Sequence, residues 1–155
     1  MKNKIFKVDN TGKSKAFFLK KGNLLKKNYI LDLKKKTLQS KKDNRICLHS
    51  NKHSSLHLMI NCLVKKKEYL PHKHKNKDEF YYLLDGKLKI IFVDKKNKEL
   101  KYYTISKSNN FFYLNKNIIH YTIPLTKTCT FIEARPGPFK KSDTVIYKKF
   151  KKKNK

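Results

Sequence analysis

The sequence predicts an all-β sandwich or barrel, and three observations support this fold class. From position 44 onward, short apolar or alternating segments are separated by polar turns at roughly eight- to twelve-residue intervals. Aromatic residues are abundant, with 10 Phe and 9 Tyr. Glycine and alanine are scarce: the chain has 4 Gly, and its alanines are Ala16 and Ala134. Aromatic and β-branched residues favour strands, so composition and periodicity agree.

The N-terminal part combines strand and helix patterns. Residues 4–8 and 15–20 predict two short strands around the turn DNTGKS. Residues 23–40 place leucine and isoleucine loosely at helical spacing, which predicts one short helix within 28–41.

The remaining strands follow one another along the chain. The dipeptide Asp85–Gly86 is typical of a hairpin turn and lies between two of them. Strands are expected at 45–49, 54–64, 69–74, 79–84, 87–94, 101–106, 111–114, 118–125 and 128–134.

The chain is expected to form a single domain. It has 155 residues, no internal repeat and no linker rich in Pro, Gly or Ser. We predict an N-terminal extension (1–40) packed on a β-barrel domain (41–147), followed by a basic tail (148–155).

The net charge of +29 allows two interpretations. It favours nucleic acid, an acidic membrane surface or an anionic substrate. Alternatively it reflects an A/T-rich coding sequence, because the cations are almost all lysine and the arginines are Arg45 and Arg135. Arginine is the preferred residue for bidentate phosphate and base contacts, so we expect no nucleic-acid partner. An anionic small molecule would still be concentrated by this field.

Cysteine usage and hydropathy predict a cytoplasmic protein. Cys47, Cys62 and Cys129 are isolated and form no CxxC pair, which is atypical of a disulfide framework. Cys62 and Cys129 are expected to be buried small hydrophobes. No apolar run suggests a signal peptide or a transmembrane helix.

Residues 71–86, PHKHKNKDEFYYLLDG, contain the strongest candidate site. His72 and His74 point to the same face of a strand, and Glu79 begins the next strand after a four-residue turn. If the two strands form a hairpin, the carboxylate lies beside the imidazoles. This donor set suits one divalent ion of Fe, Mn, Ni, Co or Zn. His120, at the start of a late strand, is the candidate for a fourth ligand.

The spacing His72-x-His74-x4-Glu79-x6-Gly86 resembles the first metal-binding motif of the cupin superfamily. Residues 115–120, NKNIIH, resemble the second motif, with His120 as the last ligand and with Asn115 and Asn117 in place of Pro and Gly. Asparagine tolerates the left-handed turn conformation better than most residues. The resemblance implies a single jelly-roll β-barrel with one metal bound by His72, His74, Glu79 and His120.

Within the cupins, the chain is similar to the WbuC-type cupin-fold metalloproteins. The blocks that carry this similarity are RICLH, HLMI, YLPHKHKNKDEF, FFYL with IIHYTIP, and FIEARPGPF with SDT, spread over roughly residues 5–147. Such proteins are often associated with surface-polysaccharide and nucleotide-sugar biosynthesis, and the resemblance implies that setting without specifying a reaction.

Four further residues are candidates for catalysis: Tyr81, Arg45, Glu133 and His49. Strand parity places Tyr81 on the same face as Glu79, where it donates to a ligand or simply packs in the core. Arg45 and His49 share one face of their strand, and Arg45 binds a carboxylate or phosphate or else pairs with Glu133. His57 is expected to be a core or interface histidine.

Three functions remain open from the sequence. The first is a metal-dependent isomerase, epimerase or dehydratase acting on a sugar or nucleotide-sugar. The second is a non-enzymatic metal- or sugar-binding regulatory module, and the third is an Fe(II) dioxygenase. A homodimer through an outer sheet face is expected from the outward side chains Phe80 and Tyr82.

Overall fold

The computed structural model describes residues 5–10, 15–65 and 69–147. Within these ranges the chain forms twelve strands, one α-helix and one short 3₁₀ turn (Lys141–Asp143). In chain order the elements are β1 (Phe6–Asp9), β2 (Lys15–Leu19), α1 (Lys27–Ser40), β3 (Asn44–Cys47), β4 (Leu56–Val64), β5 (His72–His74), β6 (Glu79–Asp85), β7 (Leu88–Val93), β8 (Glu99–Ile105), β9 (Phe111–Leu114), β10 (His120–Pro124), β11 (Thr128–Pro136) and β12 (Thr144–Ile146).

The described strands form two sheets. The larger has the order β1-β2-β3-β4-β11-β6-β9, and the smaller has the order β12-β5-β10-β7-β8. Strands β2 and β3 run parallel, whereas the other neighbours within these sheets run antiparallel. The N-terminal hairpin β1–β2 thus extends the larger sheet.

The inner faces of the two sheets pack against each other. Strand β6 alternates between buried and exposed residues, with Tyr81 and Leu83 buried and Phe80, Tyr82 and Leu84 exposed, as its parity predicts. This inner core joins side chains of both sheets: Tyr81, Leu83, Leu88, Ile90, Phe92, Ile105, Leu114, Cys129 and Phe131.

Helix α1 covers part of the outer face of the larger sheet. The predicted helix is confirmed to within one residue at each end. Its buried Leu33 packs in a second core with Phe6, Phe17, Ile46, Ile60 and Cys62, which come from β1 to β4. Residue 41 ends the helix in the left-handed conformation, with φ of 52°.

The predicted hairpins around the histidine motif are wrong. Strands β5 and β7 belong to the smaller sheet, whereas β6 lies in the larger one. The turns before and after β6 therefore carry the chain from one sheet to the other. Gly86 has φ of +87°, and an added Cβ would lie 2.6 Å from the Thr126 hydroxyl and from the Thr128 carbonyl oxygen. A glycine is thus required at this crossing by both conformation and space.

Strand β12 is absent from the predicted strands, because three residues are too few for a periodic pattern. It pairs with β5 in the register Thr144↔His74 and Ile146↔His72. Strand β1 begins at Phe6, whereas the predicted strand includes residue 5; residue 4 of that prediction lies outside the described residues. Residues 11–14 of the predicted turn and the basic tail at 148–155 lie outside the described residues. No helix in the described part of the chain is long and apolar enough to span a membrane.

Candidate metal centre

Three short elements bring the predicted ligands together. His72 and His74 lie on β5, and His120 begins β10, whose backbone pairs with β5 in the register His120↔His72. Glu79 begins β6 and reaches the histidines from the opposite sheet. Its carboxylate lies 3.1 Å from His74 Nε2 and 3.2 Å from His120 Nε2. The His72 ring is centred 4.5 Å from that of His120 and 5.2 Å from that of His74.

The turn before β10 positions His120. Asn117 adopts the left-handed conformation with φ of 65°, as expected of an asparagine replacing glycine. Its backbone N–H donates to the His74 carbonyl oxygen at 2.7 Å. This bond ties the loop before His120 directly to the strand that carries the other two histidines.

Because the Nδ1 atoms of the histidines form hydrogen bonds, their Nε2 lone pairs are available to coordinate a cation. His72 Nδ1 lies 3.3 Å from the Leu70 carbonyl oxygen, and His120 Nδ1 lies 3.0 Å from that of Ile118. A carbonyl oxygen only accepts, so both Nδ1 atoms carry the hydrogen and both Nε2 atoms carry the lone pair in the neutral ring. His74 Nδ1 contacts the Thr144 hydroxyl at 3.1 Å. Such outer contacts commonly orient metal-binding histidines.

One buried nitrogen of the cluster has no hydrogen-bond partner. His120 Nε2 is inaccessible to solvent, and its approach to Glu79 does not have the geometry of a hydrogen bond. An orphaned imidazole nitrogen facing a buried carboxylate fits a position for a cation. In the described residues, however, no three His, Cys, Asp or Glu side chains already enclose a common metal position.

The electrostatic environment keeps Glu79 ionised. Burial by itself would raise the pKa of Glu79, but the imidazoles of His120 and His74, in their protonated form, hold this pKa well below its usual range. The Tyr81 hydroxyl donates to Glu79 Oε2 at 3.0 Å. Burial and the Glu79 charge raise the pKa of Tyr81 well above its usual value, so Tyr81 remains a hydrogen-bond donor. Burial and the neighbouring His120 lower the pKa of His72 to about 4.

A second group of charges lies directly beside the cluster. Arg135 Nη1 is 3.3 Å from Glu133, 3.5 Å from Glu79 Oε1 and 3.4 Å from His74 Nε2. Asn61 donates to Glu133 at 2.6 Å. Burial raises the pKa of Glu133 despite the nearby Arg135 charge. A metal at His74 Nε2 would require the guanidinium to turn from that nitrogen, because two cations repel each other.

These groups line a cavity of about 520 Å³ between the sheets. Its wall includes His72, His74 and Glu79 of the cluster, whereas His120 is fully buried and is not part of the wall. Further polar side chains that reach the same cavity are Asp43, Arg45, Asn61, Tyr69, Tyr81, Thr122, Glu133, Arg135 and Thr144. Three of the four proposed catalytic residues, Tyr81, Arg45 and Glu133, are thus brought to one cavity.

The fourth candidate, His49, lies elsewhere. It stacks on His57, with ring centroids 4.2 Å apart and an interplanar angle of 12°. Both line a separate cavity of about 240 Å³. Arg45 and Cys47 line this second cavity as well, so the expected shared face of Arg45 and His49 is kept although β3 ends at Cys47. His57 is buried as expected, and His53 is exposed.

Comparison with known proteins supports the fold and assigns a family. A family model described as "Domain of unknown function (DUF6016)" matches residues 25–105, slightly more than half of the chain. The chain belongs to the DUF6016 family. A search of curated proteins found no significant match to it.

Solved structures similar to this DUF6016 protein are cupin-fold proteins. A crystal structure of CapF with the inhibitor 3-isopropenyl-tropolone has a TM-score of 0.54 and 17% identity, covering 67% of this chain and 31% of CapF. Oxalate decarboxylase from Bacillus subtilis has a TM-score of 0.49 and 18% identity, covering 59% of this chain and 24% of its own. Procruciferin from Brassica napus has a TM-score of 0.46 and 13% identity, and the match covers 59% of this chain and 22% of procruciferin.

The two packed sheets and the likeness to CapF confirm the cupin jelly-roll fold. This chain spans less than a third of the length of each of these three proteins, and at such low identity their likeness concerns the fold alone. The narrower WbuC-type resemblance stays a prediction.

The DUF6016 site also contains residues that sequence reasoning did not assign to it. Thr144 contacts His74 from the unpredicted β12, and Asn61 orients Glu133 from β4. Arg135, which the sequence presents only as one of two arginines, contacts both Glu79 and His74. The pairing of β12 with β5 joins residues about seventy positions apart, so no local pattern could have indicated it.

Proposed function

We propose that His72, His74, Glu79 and His120 bind one divalent transition metal ion, of Fe, Mn, Ni, Co or Zn. The observation that carries this proposal is the orientation of the three imidazoles. Each has its Nδ1 engaged by an oxygen atom, which leaves Nε2 for a cation. Three neutral imidazoles and one carboxylate form a donor set that suits this group of metals.

We further propose that the protein is a metal-dependent isomerase, epimerase or dehydratase. A bound divalent ion would supply Lewis-acid polarisation of a carbonyl oxygen on the substrate. The protein itself supplies a cavity of about 520 Å³, which is large enough for a sugar-sized ligand. Arg45 and Arg135 line this cavity, and a guanidinium would bind the phosphate of a nucleotide-sugar.

Glu133 is the proposed proton carrier for such a reaction. It lies in the cavity wall outside the ligand set, and Asn61 and Arg135 hold its carboxyl group in place. Burial raises its pKa toward neutral pH, which is the direction required of a group that both accepts and donates a proton. Tyr81 positions Glu79 through its hydrogen bond and is a positioning residue. The WbuC-type resemblance supports a place for this activity in surface-polysaccharide biosynthesis.

Elemental analysis of protein purified without added metal tests the metal site. We expect about one divalent ion per chain in the wild type, and a loss of bound metal when His72 and His74 are both replaced by alanine. The matched control is His53→Ala, which removes an exposed loop histidine and should leave metal content unchanged. Full occupancy in the double variant would refute the ligand assignment.

A second experiment tests the reaction. Metal-loaded protein is incubated with a panel of nucleotide-sugars in deuterated water, and solvent deuterium in the recovered sugar is measured by NMR. Incorporation that is lost in Glu133→Gln, with metal content retained, supports proton transfer by Glu133. Tight binding of a sugar without exchange or product would instead indicate a binding module, and metal-dependent oxygen consumption would indicate a dioxygenase.

A further inference from the structure

A second, smaller cavity lies beside the metal centre, on the inner face of the larger sheet. Its volume is about 240 Å³, and the charged and imidazole side chains in its wall are Asp9, Arg45, His49, Lys52, His57 and Arg135. Arg45 and Arg135 also line the larger cavity, so the two cavities are neighbours. The proposed metal centre and reaction use neither His49, Lys52 nor His57, so these three residues are open to another role.

The two histidines of this second cavity face each other across β3 and β4. Leu48 N–H donates to the Leu58 carbonyl oxygen at 2.8 Å, which extends the pairing of these strands past the end of β3. His49 is therefore opposite His57, and their rings stack with centroids 4.2 Å apart. The Leu58 carbonyl oxygen lies 3.1 Å from His49 Nδ1, and the Lys52 carbonyl oxygen accepts a hydrogen bond from the His57 ring. Stacking and backbone contacts thus fix both rings at the cavity wall.

His57 has a buried nitrogen that lacks a hydrogen-bond partner. The residue is 4% exposed, and the unpartnered atom is Nε2. Most buried polar atoms in proteins have such a partner. Because the Lys52 carbonyl oxygen engages the other ring nitrogen, Nε2 carries the lone pair in the neutral ring and a hydrogen in the protonated ring. Nε2 can therefore bind a cation or an anion, and the surrounding charges decide between the two.

The charges around the histidine pair favour an anion. Arg45, Lys52 and Arg135 contribute three positive charges to the wall, against one negative charge from Asp9. Arg135 also pairs with Glu133 at 3.3 Å, but Arg45 and Lys52 by themselves still outnumber Asp9. These cations would repel a metal ion at an imidazole and attract an anion. The wall of the larger cavity is different, since it holds three carboxylates beside the same two arginines.

We propose that the second cavity binds a small oxyanion of the phosphate type, held by Arg45, Lys52 and His57. The guanidinium can bind two oxygen atoms at once, and the ammonium and a protonated imidazole can each donate a further charge-assisted hydrogen bond. A volume of about 240 Å³ is below the range of about 300–1,000 Å³ that is typical of sites for larger organic ligands. A single phosphate or phosphoryl group therefore matches this cavity better than a whole nucleotide-sugar. The proposal does not depend on the metal centre.

Anion binding should be linked to proton uptake by His57. Burial and the neighbouring charges of His49 and Arg135 lower the pKa of His57 to about 4. A bound dianion offsets this repulsion and raises the pKa, so the complex holds a proton that the free protein lacks. Affinity for the anion should therefore increase as the pH falls. The charged and titratable groups that act on His57 or lie beside it in the cavity are His49, Arg135, Lys52, Lys77, Arg45 and Asp9.

Isothermal titration calorimetry with inorganic phosphate tests the site in the metal-free, full-length chain. In about 0.15 M salt, which limits the reach of exposed charges to about 8 Å, we expect about one bound phosphate per chain. His57→Leu and Lys52→Met should each weaken binding roughly tenfold or more, since each removes a charge-assisted hydrogen bond. The matched controls are His53→Leu and Lys95→Met, which change an exposed histidine and an exposed lysine and should retain the affinity of the wild type.

Two further ligands test the chemistry of the anion. Sulfate separates proton uptake by the protein from that by the ligand, because its charge is constant between about pH 7.5 and about pH 5.5 and that of phosphate is not. Sulfate affinity should rise several-fold over this decrease in pH, and His57→Leu should reduce the rise. Glycerol phosphate, compared with inorganic phosphate, identifies whether a phosphate ester or the free ion is the better ligand.

The outcomes separate this cavity from the metal centre and from diffuse surface charge. Circular dichroism verifies that each variant is folded, and Lys52→Met decides the outcome if His57→Leu does not fold. Replacement of both His72 and His74 by alanine should leave phosphate binding intact. The proposal is overturned if the wild type binds no phosphate, if Lys95→Met weakens binding as much as Lys52→Met, or if the double variant no longer binds phosphate.

Discussion

Replacing Gly137 with alanine is expected to destabilise the protein strongly. Gly137 follows β11 and lies against the loop before β4, where an added Cβ would be 1.7 Å from the Ser54 carbonyl oxygen and 3.0 Å from His57 Cδ2. Since the closest atom belongs to the backbone, no side-chain rotation relieves the contact. The two segments must separate by more than roughly an ångström, because carbon and oxygen atoms that are not bonded approach no closer than about 3 Å.

The cost can be worked from the bonds that this separation breaks. Gly137 N–H donates to the Ser55 carbonyl oxygen at 2.6 Å, and Phe139 N–H donates to that of Lys52 at 2.8 Å. Each bond contributes about 1 kcal/mol, and disturbed packing against buried His57 adds about 1 kcal/mol more. We therefore expect a loss of about 3 kcal/mol in the free energy of unfolding. For a protein of this size, this corresponds to a decrease in Tm of roughly 6–12 °C.

The assay is thermal unfolding followed by circular dichroism, with Gly22→Ala as the matched control. Gly22 has φ of +77°, but no atom lies within 4 Å of the position that an added Cβ would take. It thus bears only the conformational cost of a left-handed residue, about 1 kcal/mol. Equal decreases in Tm for Gly137→Ala and Gly22→Ala would contradict the close contact between Gly137 and the Ser54 backbone.

Three further predictions test the site and the core. Thr144→Val removes the contact with His74 Nδ1 and should weaken metal binding roughly 10- to 100-fold, measured by chelator competition. The control is Thr122→Val, which changes another threonine of the same cavity. Equal metal affinities in the two variants would contradict this role of Thr144. Burial lowers the pKa of His57 from 6.5 to about 4, so the unfolded chain binds a proton that the folded protein excludes. Stability in urea should thus fall by about 1–2 kcal/mol from pH 7 to pH 4, and His57→Gln should reduce that slope. Leu33→Ala should cost about 3 kcal/mol in the same assay, because Leu33 is fully buried under α1; a loss below about 1 kcal/mol would contradict that packing.

The local parts of the fold were predictable because they depend on neighbouring residues. Parity along β6 placed Tyr81 inward with Glu79 and Phe80 outward, and both placements are confirmed. The helix was found from its apolar spacing, and the left-handed Asn117 from the known tolerance of asparagine. Each of these inferences uses only side-chain direction or backbone preference over a few residues.

The pairing of strands was less predictable. The Asp85–Gly86 turn has hairpin chemistry, yet it joins strands of different sheets, because a turn sequence specifies a local bend and not the partner of the following strand. His49 shares a cavity with Arg45, as parity predicted, but Arg45 also lines the larger cavity beside the histidine cluster, which His49 does not reach.

The sequence by itself determined the β-rich fold class, the inward and outward faces of its strands, and the spacing of four candidate ligands. Only the tertiary structure decided how those ligands meet, with Glu79 reaching the histidines across two sheets. It also decided that Thr144, Arg135 and Asn61 surround them. The physical reason is that side-chain periodicity is encoded locally, whereas contacts between distant strands depend on the packing of the whole chain.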